Sequence, residues 1–177
     1  MKIDDLFTNI GLYQEEKATE KLIKELSGVK NEGCISKTDF IKIGMWKSPR
    51  QKKKYLDNSE QEVKDITKIS FACDNEKIKI LSLTALNGVS IPTASAILML
   101  TDPENYGVID IRVWQALHSY GLVSDCESGV GLSLNNWIEY LKIIRTYAEK
   151  YQLSARAVEQ ILFKHHKKIQ TGNLYKK

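Results

Sequence analysis

Cysteine is too scarce in this chain for a disulfide scaffold or a cysteine-built metal centre. It occurs only at Cys34, Cys73 and Cys126, with no CxxC pair. A zinc ribbon or a four-cysteine iron–sulfur cluster is therefore excluded on ligand count. Three scattered thiols point to a reducing, cytoplasmic setting and read as packed or inert groups. Proline appears 3 times and glycine 10 times in 177 residues, too seldom for a collagen-like or low-complexity chain. Neither sign of charge dominates: 26 Lys plus Arg face 22 Asp plus Glu, for a net charge of +4. With 42% hydrophobic residues, that balance excludes a disordered polyelectrolyte. The opening MKIDDLFTNI has two acids where a signal peptide needs a basic and then an apolar segment. One uncharged run, residues 80–101, is long enough to cross a bilayer. Asn87, Gly88, Ser90 and Pro92 interrupt it, and a lipid-exposed break there would strand backbone polar groups. Two short buried helices joined by a tight turn explain the run, with no membrane partner.

What is present is helical periodicity. The length suits one domain or two small lobes, and a chain of this size buries ~70% of its unfolded surface. Apolar residues recur at three and four almost throughout, and strand-like alternation is scarce. The pattern predicts helices over residues 15–26, 38–46, 59–71, 75–86, 91–100 and 110–120. Two more are predicted, from Asn135 or Asn136 to Tyr151 and from a Ser154 cap onward. Asn58 and Ser59 both offer a cap for the third. The tail FKHHKKIQTGNLYKK is basic and expected to fray. His118, His165 and His166 lack metal-ligand spacing and read as structural or surface residues. KSPRQKKK, residues 47–54, is the densest basic run.

The informative segment is LTALNGVSIPTASAILMLTDPENYGVIDIRVWQAL, residues 83–117. It describes a helix, a hairpin at Asn87-Gly88-Val89-Ser90, a second helix, a loop, and a helix opened by Asp110. A glycine hairpin entering a helix turns backbone N–H groups toward the positive end of the helix dipole, a site for a phosphate oxygen. On local sequence, Asp110 also reads as an ordinary helix cap.

GVSIPTASAIL followed by VIDIRVW resembles the helix-hairpin-helix DNA glycosylase superfamily, of which endonuclease III is a member. Gly88, Val89, Thr93, Ala94 and Asp110 are the matching positions, and the likeness covers roughly residues 78–121. The stretch also resembles a bacterial branch of that superfamily in which WKSPR, residues 46–50, is a second shared patch. The resemblance implies an all-α chain of two helical lobes flanking a cleft that holds Asp110. Residues 59–121 would form the helix-hairpin-helix lobe, and residues 1–58 with 122–177 the other.

Two positions depart from the family pattern. Ser90 stands where a second hairpin glycine is usual; it is expected either to cap the next helix or to resist a positive φ. Pro92 stands where bifunctional members carry a Schiff-base lysine. The resemblance therefore implies a monofunctional N-glycosylase that uses water as nucleophile, or a non-catalytic DNA-binding protein. Asp110 would be the catalytic carboxylate, with no cofactor and no protein-bound transition metal. DNA phosphates would meet Asn87, Gly88, Val89, Ser90, Lys47, Arg50, Lys52, Lys53 and Lys54, with a monovalent cation at the hairpin. Trp46, Tyr106 and Trp114 are candidates for a base pocket.

Overall fold

The computed structural model describes residues 2–8, 13–172 and 174. Among them it is all-helical, with no strand. The chain divides into two compact units, one of residues 17–102 and one of residues 1–16 with 103–177. The hairpin falls in the first and Asp110 in the second, whereas the expected 59–121 lobe holds both.

The 17–102 unit contains α1 (Lys17–Leu26), α2 (Val29–Glu32), α3 (Lys37–Lys47), α4 (Lys52–Leu56), α5 (Glu60–Ala72), α6 (Glu76–Leu83) and α7 (Ile91–Thr101). Side chains set three of these starts. Ser36 accepts from the Asp39 N–H, Asn75 from Lys77 and Ile78, and Ser59 forms a reciprocal capping box with Glu62. Ser59 is thus the cap of α5, and Asn58 is left for another task. A 3-10 turn at Pro49–Gln51 separates α3 from α4, as Pro49 requires. α3 packs on α4, α5 and α7, and α7 also meets α1 and α6. α7 is buried from Thr93 to Thr101, which accounts for its uncharged sequence. No helix among the described residues is long and apolar enough to cross a membrane.

The other unit contains α8 (Ile111–Ser119), α9 (Leu134–Tyr151) and α10 (Ala155–Ile169), with α10 packed on both α8 and α9. α9 buries Trp137, Tyr140, Leu141, Ile144 and Ala148 along the predicted stripe. It starts earlier than predicted because Ser133 and Asn136 form a capping box. α10 begins after Ser154, as expected. It does not fray where the basic tail suggested: it runs to Ile169 with His166 buried. Lys167 and Lys168 in the last turn complement the negative end of the helix dipole. The N-terminal segment joins this unit through Phe7, whose ring lies 5.1 Å from Tyr147 and 5.2 Å from Tyr151.

Candidate functional site

The hairpin forms as the sequence indicates. The Val89 N–H donates to the Leu86 carbonyl at 3.1 Å, and Gly88 takes the left-handed φ of +85° that favours glycine. Ser90 departs from both expectations. Its φ is −97°, so serine meets no backbone strain there, and its hydroxyl makes no capping bond. Pro92 removes one of the two N–H groups a cap usually serves, and the Ser90 hydroxyl instead lies 3.3 Å from Thr93 Oγ1. The first-turn N–H groups of Ile91 and Thr93 have no acceptor within the helix.

The basic run meets this hairpin. Asn58 is 2% exposed. Its Oδ1 accepts from the Asn87 N–H at 2.7 Å. Its Nδ2 donates at 3.1 Å to the carbonyls of Lys54, Tyr55 and Asn87. One side chain therefore joins the end of α4 to the residue before Gly88. Tyr55 lies beneath the joint. A Cβ on Gly88 would sit 3.0 Å from its ring and 2.9 Å from Lys54 Cβ, while one on Gly44 would sit 2.6 Å from the ring. The Tyr55 hydroxyl donates to the Ser48 carbonyl at 3.3 Å. Arg50, Lys52, Lys53 and Lys54 are exposed and make no ion pair among the described residues, whereas Lys47 is half-buried. Neither Asn58 nor Tyr55 carries a local signal of this role, because the bridge spans 29 residues of sequence.

Asp110 caps α8. The preceding stretch from Tyr106 to Ile109 is buried, so the chain reaches Asp110 along a fixed path. Asp110 is extended, half-buried, and accepts from the Val113 N–H at 3.0 Å through Oδ1. Behind it lies a buried polar group that sequence reasoning missed. Glu159 accepts from the Val108 N–H at 3.2 Å and pairs with Arg156, which in turn pairs with Glu15 at 2.7 Å. Burial, reinforced by the charge of Asp110, raises the Glu159 carboxyl above its ordinary pKa against the opposing pull of Arg156. Burial likewise raises the Tyr140 phenol well above its usual value, with Glu159 and Asp110 adding to the effect. The Tyr140 hydroxyl is buried without a hydrogen-bond partner, as are Trp137 Nε1 and His166 Nδ1.

The three candidate base-pocket rings do not gather in one unit. Trp114 is fully buried, and its Nε1 donates to the carbonyls of Asp125 and Cys126 at 3.2 and 3.0 Å. It offers no open face to a base and acts as core. Tyr106 is 6% exposed, stacked 6.4 Å from Trp137 and covered by Arg145. Trp46, in the hairpin unit, is half-buried and donates to Thr19 Oγ1 at 3.1 Å. No group of three or more His, Cys, Asp or Glu able to hold a metal exists among the described residues. The chain matches no protein-family model, no curated protein and no solved structure.

Proposed function

We propose that this protein is a monofunctional DNA N-glycosylase that removes a flipped, damaged or modified base, with Asp110 as its catalytic carboxylate. Asp110 carries the reading: it is an acid with a fixed orientation, half-buried rather than sealed in, at the positive end of a helix. As the bond between C1′ and the base nitrogen breaks, its electron pair leaves with the base and positive charge develops on the sugar. A fixed carboxylate stabilises that charge and takes the proton of the attacking water. Pro92 has no amine, so this reading includes no Schiff base at that position and leaves the abasic strand uncut.

Extruding the base costs a few kcal/mol. Phosphate contacts at Gly88, Val89, Ser90 and the basic run offset that cost, with a monovalent cation on the hairpin carbonyls. Trp46 is the one candidate base-stacking ring that is not buried. The setting is base excision repair in a reducing, cytoplasmic compartment.

A second reading is a non-catalytic helix-hairpin-helix DNA-binding protein. The cap bond to Val113 favours it, since that bond gives Asp110 a structural task without chemistry. Asp110→Asn separates the two readings. Asparagine caps a helix as well as aspartate, so stability should stay within about 0.5 kcal/mol. On duplexes carrying alkylated, deaminated or oxidised bases, the native chain should release free base. The variant should release it at least ~10²-fold more slowly while still binding DNA. No release from the whole lesion panel leaves the binding protein as the answer.

A further inference from the structure

We infer that Asn58 is a positioning residue that joins the exposed cations of residues 50–54 to the 87–90 hairpin as one surface for the phosphate backbone of duplex DNA. The inference rests on the nucleic-acid half of the function proposed above and is independent of chemistry at Asp110.

Three observations carry it. The first is the completeness of the bridge. Asn58 is buried, its amide spans the last carbonyls of α4 and both backbone polar groups of Asn87, and no simpler residue supplies that set. The second is that α4 cannot hold its own shape. It has five residues, and so short a helix does not repay the cost of nucleation. The Lys52, Lys53 and Lys54 side chains therefore take their places from Asn58 and from Tyr55, whose ring fits between Gly44 and Gly88. The third is charge. Three lysines of the same unit find acids, Lys21 with Glu25, Lys42 with Asp39 and Lys64 with Glu60, while others such as Lys68 and Lys79 stand singly without one among the described residues. Beside the hairpin, Arg50, Lys52, Lys53 and Lys54 have no carboxylate within ion-pair distance among the described residues. A row of cations held in place without acids is matched to an anion supplied from outside, and a duplex presents phosphates at regular spacing.

The test is the binding of a labelled undamaged duplex to the full chain, followed by fluorescence anisotropy over a salt titration. Lys54→Ala should lower the slope of log affinity against log salt by about one. Asn58→Ala, shown by circular dichroism to be folded at the temperature used, should weaken binding by about tenfold. In that background a further Lys54→Ala should change affinity less than twofold, because the lysine is no longer held against the hairpin. If Asn58→Ala does not fold, Asn58→Gln replaces it: it keeps an uncharged amide and displaces its donor and acceptor by one methylene. Equal effects of Lys54→Ala in both backgrounds would overturn the positioning role. An unchanged salt slope after removal of Lys52, Lys53 and Lys54 together would overturn the surface itself, as would binding to anionic vesicles with none to the duplex. Failure of base release would leave all these measurements intact.

Discussion

His166 shows how much a single side chain in this fold depends on its surroundings. It is 7% exposed, and burial holds its imidazole below the ordinary value of 6.5, assisted by the charge of Arg112 and opposed by Asp110. His165 is lowered too, by burial and then by Lys168, and its ring contacts the Tyr120 hydroxyl at 2.8 Å. A base with a depressed folded pKa binds fewer protons folded than unfolded. Its contribution is complete above the unfolded value and is lost as pH falls through 6.5 toward the folded value. The raised carboxyl of Glu159 acts in the opposite sense, contributing most at low pH and losing ground as pH rises. The two histidines lose their contribution as pH falls below 6.5, and the gain at Glu159 offsets part of that loss. The urea midpoint should therefore fall as pH is lowered from about 7.5 to about 5.5. His166→Gln should make that fall shallower. A flat profile, or a midpoint that rises toward acid, would show that the histidines do not govern it. The histidines read as structural or surface residues from sequence, since no metal spacing surrounds them. Their burial was not legible, because the basic tail hid the continuation of α10.

At the scale of elements, helix starts were readable where one polar side chain sets them. Ser59, Asn75, Asp110 and Ser154 each cap the helix that their position suggested. Ends were less readable. α6 stops at Leu83 and gives way to short i→i+3 turns through Thr84, Ala85 and Leu86, so the predicted stop at residue 86 is three residues late. The joint between α4 and the hairpin was not legible at all. It depends on Gly44, Tyr55, Asn58 and Gly88, which the sequence separates and only packing assembles. That joint gives a stability prediction. Gly44→Ala forces a methyl to 2.6 Å from the Tyr55 ring and should cost about 1–3 kcal/mol, read from the denaturation midpoint. Gly88→Ala meets the same ring and also places a side chain at φ +85°, which adds about 1–2 kcal/mol. Tyr55→Leu should recover part of the Gly44→Ala loss in the double variant, because the two residues compete for one space. Additive losses would mean that the ring is not what limits the site.

For the whole molecule, the distribution of charge says more than its total. A net charge of +4 over 177 residues is unremarkable by itself. The 17–102 unit holds 15 Lys and Arg against 11 Asp and Glu, a net of +4. The remaining residues hold 11 of each and are neutral. The excess therefore belongs entirely to the unit that carries the hairpin, a fact that needs the divisions after residues 16 and 102 to become visible. Salt at about 0.15 M screens exposed charges beyond ~8 Å, so a general excess of charge attracts DNA only weakly under those conditions. Local contacts must then carry the affinity. Lys52→Glu should weaken duplex binding by about tenfold at that salt concentration. Lys142→Glu and Lys167→Glu make the same charge change at exposed positions of the neutral unit, and each should weaken it less than twofold. Raising the salt should shrink the Lys52→Glu effect, because the variant neutralises fewer phosphates and so releases fewer counterions than the native chain. Three equal losses would mean that the duplex responds to net charge alone, with no preference for the unit that carries the hairpin.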